Sequence, residues 1–179
     1  MPNQVVATEE WTVNVPVAKK RLAKLGYQVV NCQSVELPFK DASFDLVLNR
    51  HEDLDPGEVA RVLPPERKVI TQQVGRENWK ELRRFFPRMA DAGDHRGRYA
   101  QGFQTARLKV VTNLEHDCKV AFGILGDFVF MLAVTPWTIP DFSLDRDIDA
   151  LLSLDKEYRT KHGLELTESR FLLIAEKPN

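Results

Sequence analysis

Residues 36–52 read ELPFKDASFDLVLNRHE and residues 58–74 read EVARVLPPERKVITQQV, and these two stretches carry the clearest structural pattern in the chain. The apolar run at 44–49 is bounded by polar residues and predicts a strand. The second stretch ends in another alternating run, 68–74, which also predicts a strand. A helical pattern lies between the two strands, so this region predicts a β-α-β unit with a parallel sheet.

The start and end of the connecting helix can be predicted from single residues. Asp55 is a suitable N-cap, Pro56 fits the first helical position, and Glu58 supports the first turn. The residue before a proline avoids the helical conformation, so the helix is expected to end near Pro64.

The N-terminal region repeats the same alternation. The β-branched run 4–8 predicts a strand, Asn14 and Pro16 predict a helix start, and Gly26 predicts its end. The segment 27–32 then predicts a second strand.

The C-terminal half is expected to continue the alternation after one interruption. The segment 127–134 fits a buried helix and a strand equally well. The other expected elements are a helix at 77–86, a polar surface excursion at 87–102, a helix at 103–114, a strand at 119–124, a helix at 144–162 and a strand at 170–176. The fold class expected from this order is α/β, with helices on both faces of a largely parallel sheet.

Composition limits the classes of protein to which the chain can belong. Its 179 residues fit a single domain, and 25 basic against 26 acidic residues give a net charge of -1. This balance gives no reason to expect a nucleic acid or a membrane as partner. Cys32 and Cys118 lie far apart, which fits a reduced, cytoplasmic protein and argues against a zinc site or another metal. No signal peptide or apolar run of transmembrane length is visible.

Three motifs in register resemble the class I S-adenosylmethionine-dependent methyltransferases that act on small molecules. They are Leu37-Pro38-Phe39, Phe44-Asp45-Leu46-Val47 and Arg61-Val62-Leu63-Pro64. The resemblance can be extended over the whole chain, from the family's second strand to its seventh. It implies a Rossmann-like sheet, S-adenosylmethionine as cofactor and a small molecule as methyl acceptor. The expected organisation is one domain, 1–179, with a cofactor-side part at 1–86, a variable excursion and helix at 87–115, and C-terminal strands and helices at 116–179.

The resemblance also implies roles for residues at the ends of the predicted strands. Glu9 would bind the ribose hydroxyls, because a carboxylate can accept both protons. Trp11 would lie against the adenine, and Gln33 with Ser34 would meet the adenine amino group. The family usually has Asp where this chain has Gln33. Asn49 leaves the family's fourth strand at the end where open α/β sheets build their sites.

His51 is the candidate general base, because the histidine side chain titrates near neutral pH. A structural role remains open for it, as for each of the cofactor residues. The acceptor would be chosen by the excursion 87–102 and by the region 137–142, which contains Trp137.

The family's glycine-rich cofactor turn is absent from the sequence. No GxG occurs among the nine glycines, and Pro65-Glu66-Arg67 stands where the family usually has Pro-Gly-Gly. Only glycine lets backbone amides approach the methionine part of the cofactor so closely. The sequence therefore resembles a truncated methyltransferase that lacks the first strand and its turn.

In the family's strand order, 3-2-1-4-5-7-6, the first strand is central. The strands at 4–8 and 44–49 would then each face an unpaired edge. They would pair directly, borrow a strand from another copy, or belong to a longer polypeptide, and a homodimer is the expected compensation. Two functions follow: an impaired S-adenosylmethionine-dependent methyltransferase, or a catalytically inactive methyltransferase-like binding or subunit protein.

Overall fold

A computed structural model describes residues 4–91 and 93–179 of the protein. The strands are β1 Val6–Glu9, β2 Gln28–Asn31, β3 Leu46–Arg50, β4 Lys68–Val74, β5 Lys109–Phe122, β6 Arg159–Thr160 and β7 Gly163–Glu176. The helices are α1 Val15–Leu22, α2 Pro56–Val62, α3 Leu82–Phe85, α4 His95–Thr105, α5 Leu125–Val134 and α6 Leu144–Tyr158, with a 3-10 turn at Ala23–Leu25.

The strands form two sheets. β1 pairs with β2 in parallel, and the second sheet has the order β3-β4-β7-β5, with β6 paired antiparallel to β7. If β1 to β4 are equated with the family's strands 2, 3, 4 and 5, this arrangement reproduces the order 3-2-1-4-5-7-6, except that no described residue occupies position 1. The Rossmann-like α/β fold class is confirmed.

The helix ends predicted at Gly26 and Asp55 are confirmed, whereas the side chain of Asn14, at the start of α1, makes no capping hydrogen bond. Gly26 has φ 73°, a left-handed conformation that ends the helical region. The Asp55 carboxylate accepts a hydrogen bond from the Glu58 N–H at 2.8 Å, and Pro56 is the first residue of α2. Local chemistry was therefore sufficient to place both ends.

Two predictions in the middle of the chain are wrong. Residues 103–114 were expected to form a helix, but α4 ends at Thr105 and β5 begins at Lys109. The segment 87–102 was expected to be a polar surface excursion, with the helix starting only at 103, but α4 begins inside it at His95. Its apolar stripe consists of Tyr99 and Phe103, too few residues for helical spacing to be recognised among polar and glycine residues.

The other segments were placed more closely. Residues 127–134, for which helix and strand fitted equally well, belong to the helix α5. The strand expected at 119–124 is the end of the longer strand β5. The helix expected at 77–86 is reduced to α3, with Trp79 at φ 50° in the turns before it.

The chain packs as two compact units. Unit 1 comprises the described residues up to Thr71, with Tyr99–Thr112 and Leu173–Asn179; unit 2 comprises those of Gln72–Arg98 and Asn113–Leu172. The core of unit 2 is built from Trp79, Leu82, Phe86, Phe128, Leu132, Ile139, Leu151, Leu154, Leu164 and Leu166. The single-domain organisation expected from the sequence stays a prediction.

Helix length also bears on membrane insertion. Within the part of the chain that the structure describes, no helix is long and apolar enough to cross a membrane.

Candidate functional site

The carboxyl ends of β1 and β2 lie side by side in unit 1. The parallel register pairs Glu9 with Asn31. The Asn31 side-chain amide donates hydrogen bonds to the backbone carbonyls of Glu9, at 2.6 Å, and Glu10, at 3.0 Å. Asn31 thus ties the two strand ends together, and sequence reasoning missed it because nothing local distinguishes it from any polar residue after a strand.

The Glu9 carboxylate is oriented by the chain that follows it. Its Oε1 accepts a hydrogen bond from the Trp11 backbone N–H at 2.9 Å. Glu9 is half-buried, while 65% of Trp11 is exposed. A carboxylate at the end of a parallel strand, held by a backbone donor, is suited to accept hydroxyl protons from a bound ligand.

Gln33 and Ser34 begin the loop after β2. The Gln33 amide nitrogen donates to Glu10 Oε1 at 3.1 Å, which brings this loop against the end of β1. Gln33 is exposed and Ser34 is half-buried. Three of the predicted cofactor residues, Glu9, Trp11 and Gln33, are therefore brought together through Glu10, a residue that the sequence did not single out.

Asn49 near the end of β3 is held from two sides. Its side-chain oxygen accepts a hydrogen bond from the buried Thr71 hydroxyl at 2.8 Å, and its amide donates to the Asp53 carbonyl at 3.4 Å. His51 follows this strand and has φ 56°, a left-handed conformation that residues other than glycine adopt uncommonly. Such backbone strain clusters at functional sites, which keeps His51 a candidate.

A groove in unit 1 lies between β1 and β3 and encloses about 110 Å³. Ser34 and Asn49 both line it, so the structure brings these two predicted residues to one surface. The full lining is Val6, Thr8, Ser34, Leu37, Phe39, Phe44, Leu46, Val47, Leu48, Asn49, Leu54, Val59 and Val62. The groove occupies the position in the strand order at which the family has its first strand.

Arg61 explains why the Leu37-Pro38-Phe39 and Arg61-Val62-Leu63 motifs occur together. Its guanidinium donates to the carbonyls of Leu37, at 2.9 Å, and Phe39, at 2.6 Å. It also donates to both carboxylate oxygens of Glu58, at 2.7 and 2.8 Å, and to Asp41 at 2.9 Å. Arg61 therefore fixes the turn that forms one wall of the groove. The sequence signal was the Glu-to-Arg spacing of three residues on a helix.

Glu58 is the acidic member of this network. It also accepts the Leu37 backbone N–H at 2.9 Å. The hydrogen bond from Arg61, reinforced by that from Leu37, lowers the pKa of the Glu58 carboxyl from 4.5 to about 2. The carboxylate form is thus favoured in the folded chain.

We expect acid to remove the stability that Glu58 contributes. The folded pKa lies below the unfolded value, so the contribution is complete above the unfolded value of 4.5 and is lost as the pH falls towards about 2. The difference between the two values corresponds to at most about 3 kcal/mol. Urea unfolding of the unmodified chain and the Glu58→Gln variant at pH 7, 5 and 3 measures this effect.

The stability gap between the two proteins should narrow towards pH 3. Glu66→Gln changes a residue on an exposed turn and serves as the control. It should leave the pH dependence of the free energy of unfolding unchanged. A gap that stays constant from pH 7 to pH 3 would contradict the role of Glu58.

Residues Pro65-Glu66-Arg67 stand where the family usually has Pro-Gly-Gly, and the backbone at this turn has a conformation typical of glycine. Glu66 adopts φ 64°, the left-handed conformation that a glycine would adopt without strain. Its N–H donates to the Lys177 carbonyl at 2.8 Å, which holds the turn in place.

Unit 2 contains a separate polar cavity of about 510 Å³. Arg96 lies in its wall and donates to Asn113 at 2.7 Å and to Glu115 at 2.5 Å. The other lining residues are Arg76, Glu77, Gly93, Asp94, His95, Gly97 and Phe171. The segment 87–102 thus contributes five residues to the wall of this cavity. Its role in choosing a methyl acceptor stays a prediction. Trp137 does not line this cavity, and 69% of it is exposed.

The described residues were also searched for a possible metal site. Within residues 4–91 and 93–179, no group of three His, Cys, Asp or Glu side chains could hold a metal ion. Cys32 and Cys118 are both free thiols, and burial raises the pKa of the Cys32 thiol.

Comparison with known proteins supports the fold described above. Residues 1–70 match the family model described as a methyltransferase domain. A proposed methyltransferase of Bacillus halodurans is similar at a TM-score of 0.69 and 13% identity, over 99% of this chain and 84% of that one. The YcgJ protein of Bacillus subtilis is similar at 0.65 and 15% identity, over 98% and 83% of the two chains.

A geranyl diphosphate methyltransferase in complex with S-adenosylmethionine is similar at a TM-score of 0.54 and 13% identity, over 97% of this chain and 68% of that one. No curated protein sequence matches the chain significantly. Residues 1–70 therefore resemble the methyltransferase domain family, and the chain shares the Rossmann-like α/β fold of these solved structures.

Proposed function

We propose that the chain takes part in methyl transfer from S-adenosylmethionine to a small polar acceptor, and that it binds mainly the adenosine half of the cofactor. The observation that carries the proposal is the Glu9 carboxylate at the end of β1, oriented by the Trp11 N–H at 2.9 Å. It lies at the strand end where ligands bind in open α/β sheets.

The other predicted residues take complementary roles. Trp11 offers an exposed ring on which adenine can stack. Gln33 and Ser34 provide polar groups for the adenine edge, and Asn49 is held in place at the end of β3. His51 would accept a proton from the acceptor if the nucleophile is a hydroxyl or an amine.

The methionine half of the cofactor has no comparable site in this sequence. Its carboxylate and amino groups need closely approaching backbone amides, and no GxG turn occurs among the nine glycines. We therefore expect weak cofactor binding and impaired methyl transfer by these 179 residues.

The segment 87–102, which we expect to choose the acceptor, contributes to the polar cavity in unit 2. The arginine and carboxylate side chains of this cavity, with Phe171 as an apolar surface, favour a small charged or strongly polar molecule over a hydrophobic one.

The proposal can be tested by isothermal titration calorimetry, in which the chain is titrated separately with S-adenosylmethionine, S-adenosylhomocysteine and adenosine. We expect all three to bind with similar dissociation constants, in the range of about 0.1–1 mM, because they share the adenosine half. The Glu9→Gln variant should bind about tenfold to a hundredfold more weakly, since a charge-assisted hydrogen bond is lost. Glu66→Gln is the matched control and should bind normally.

The possible outcomes separate the two candidate functions. Absence of binding by all three ligands would contradict cofactor use by this chain and favour a catalytically inactive binding protein. Equal binding by the Glu9→Gln variant would contradict the ribose role of Glu9. The specific observation behind the second candidate is Leu48, which is 70% exposed in the groove.

A further inference from the structure

The polar cavity of unit 2 is lined by charged side chains of both signs. It encloses about 510 Å³, which lies within the range of about 300–1,000 Å³ found for small-molecule sites. The charged groups come from the turn after β4, from residues 93–97 and from β5, so three segments that are distant in sequence contribute to one wall. The charged members are Arg76, Glu77, Asp94, Arg96 and Glu115.

Asp91 holds Arg76 beside the segment that contains Asp94. The Asp91 Oδ2 accepts a hydrogen bond from the Arg76 Nη2 at 3.2 Å, and its Oδ1 accepts one from the Gly93 N–H at 2.9 Å. One carboxylate therefore binds both the guanidinium of Arg76 and the backbone next to Asp94. This arrangement brings a positive and a negative group to the same part of the wall.

Both guanidinium groups in the wall keep donors that no ion pair uses. Arg96 donates to Asn113 from Nε at 2.7 Å and to Glu115 from Nη1. Arg76 donates to Asp91 from Nη2, and its side chain is 57% exposed. Within residues 4–91 and 93–179, no acceptor meets the Nη2 of Arg96 or the Nε and Nη1 of Arg76. Guanidinium N–H groups of this kind are well suited to a ligand carboxylate.

Two of the carboxylates likewise keep an oxygen without a donor. The Asp94 Oδ1 accepts the Gly97 N–H at 2.8 Å, which caps the start of α4. Glu115 is paired with Arg96 through Oε2. Among the residues that the structure describes, no donor meets the Asp94 Oδ2 or the Glu115 Oε1. Such oxygens can accept hydrogen bonds from a ligand ammonium group.

A wall with charges of both signs favours a ligand that also carries both. A simple anion would be repelled by the carboxylates of the wall, and a simple cation would be repelled by its arginines. A neutral apolar ligand would displace water from charged groups without replacing the hydrogen bonds that the water made. A ligand with separate positive and negative groups avoids both costs, because each group can lie beside its opposite.

We propose that this cavity binds a small zwitterion with one ammonium and one carboxylate group, of the kind found in a free amino acid. The ligand carboxylate pairs with Arg76, and the ligand ammonium pairs with Asp94. Phe171 also lines the cavity and can contact an apolar side chain of the ligand. Identifying this zwitterion as the methyl acceptor rests on the proposed function, but its binding can be measured without methyl transfer.

Three compounds with the same carbon branch test the proposal. They are L-leucine, 3-methylbutylamine, which lacks the carboxylate, and 4-methylpentanoate, which lacks the ammonium group. Each is titrated into the full chain at pH 7 and followed by the amide signals of the nitrogen-15-labelled protein. We expect L-leucine to bind at least about tenfold more tightly than either of the others, because each of them loses one set of charge-assisted hydrogen bonds. Binding of either singly charged compound as tightly as L-leucine would overturn the proposal.

Two variants remove one charge each from the wall. Arg76→Gln should weaken L-leucine binding by about tenfold and leave 3-methylbutylamine binding unchanged. Asp94→Asn should also weaken L-leucine binding by about tenfold, without weakening the binding of 4-methylpentanoate. Asparagine caps a helix as well as aspartate does, so the start of α4 is kept. Unchanged L-leucine binding by either variant would overturn the proposal.

A control variant and the position of the signals complete the test. Lys156→Gln removes an exposed charge on α6, outside the lining of the cavity, and should bind L-leucine normally. L-leucine should shift the amide signals of residues 93–97 and 113–115. Shifts confined to other residues would overturn the proposal.

The adenosine titration separates this inference from the proposed function. Binding of L-leucine without binding of adenosine would support the zwitterion site and contradict only the proposed use of the cofactor. Binding of adenosine without binding of L-leucine would overturn the zwitterion site and leave the proposed use of the cofactor intact.

Discussion

Replacing Glu81 with alanine is expected to lower the free energy of unfolding by about 2–5 kcal/mol. The Glu81 side chain is only 5% exposed. It accepts hydrogen bonds from the Thr167 backbone N–H at 3.0 and 3.1 Å, from the Thr167 hydroxyl at 2.5 Å and from the Lys119 ammonium at 2.5 Å. Alanine would leave the donors of buried Thr167 without their acceptor, at about 1–3 kcal/mol for each group.

Lys119 limits the loss of stability that we expect for the Glu81→Ala variant. Its side chain is 55% exposed, so its ammonium can regain water when Glu81 is removed. Burial raises the pKa of Glu81, but the hydrogen bonds from Lys119 and Thr167 outweigh it and hold the pKa below its ordinary value. The carboxylate is therefore charged and satisfied in the folded chain, which is why its removal costs more than the loss of a surface ion pair.

Urea unfolding followed by circular dichroism measures the change. Glu81→Gln keeps one side-chain acceptor and should lose less stability than Glu81→Ala. Glu77→Ala is the matched control, because its ion pairs with Lys80 and Arg83 are exposed and should be worth at most about 1 kcal/mol. Equal destabilisation by the Glu77 and Glu81 variants would show that the buried network contributes nothing beyond a surface pair.

Replacing Phe128 with alanine is expected to destabilise the chain by about 3–5 kcal/mol. Phe128 lies on α5 with no exposed surface, in the core of unit 2. Its ring meets Trp79 edge-on, with centroids 5.4 Å apart, and packs against Phe122 at 5.0 Å. Alanine would remove these contacts and leave a cavity that the surrounding rings cannot fill without moving.

Trp79 is a convenient reporter of this change. It is 9% exposed, whereas Trp11 and Trp137 are 65% and 69% exposed, so Trp79 supplies the blue-shifted part of the fluorescence. Phe128→Ala should lower the urea midpoint and shift this emission towards longer wavelengths. Phe130→Ala, on the same helix at 63% exposure, should change the free energy of unfolding by less than about 1 kcal/mol. Similar losses for the two variants would contradict the buried position of Phe128.

Local chemistry along the chain was enough to predict most elements of unit 1. Gly26 ends a helix because it adopts a left-handed conformation, and Asp55 caps the next because its carboxylate reaches the Glu58 N–H. Both effects act within a few residues. The same reasoning failed at α4, where Tyr99 and Phe103 are the only buried residues, because so narrow an apolar stripe resembles a polar loop.

The candidate site was predictable only in part, for a related reason. Glu9, Gln33 and Asn49 could be placed at strand ends, since the carboxyl ends of parallel strands share one edge of a sheet. The Asn31 bonds to Glu9 and Glu10 span 22 and 21 residues, and no local pattern announces a contact at that separation.

Contacts between distant residues also set the features that could be seen only in the folded chain. Arg61 joins α2 to carbonyls 22 and 24 residues away, and Glu81 binds a threonine 86 residues away. Among the described residues, β1 pairs with β2 and β3 pairs with β4, and the groove lies between these two pairs. Residue types and spacing predict which segments become strands and helices, because those preferences act over a few residues. Which strand edges are paired depends on free energies that arise only when distant segments pack together.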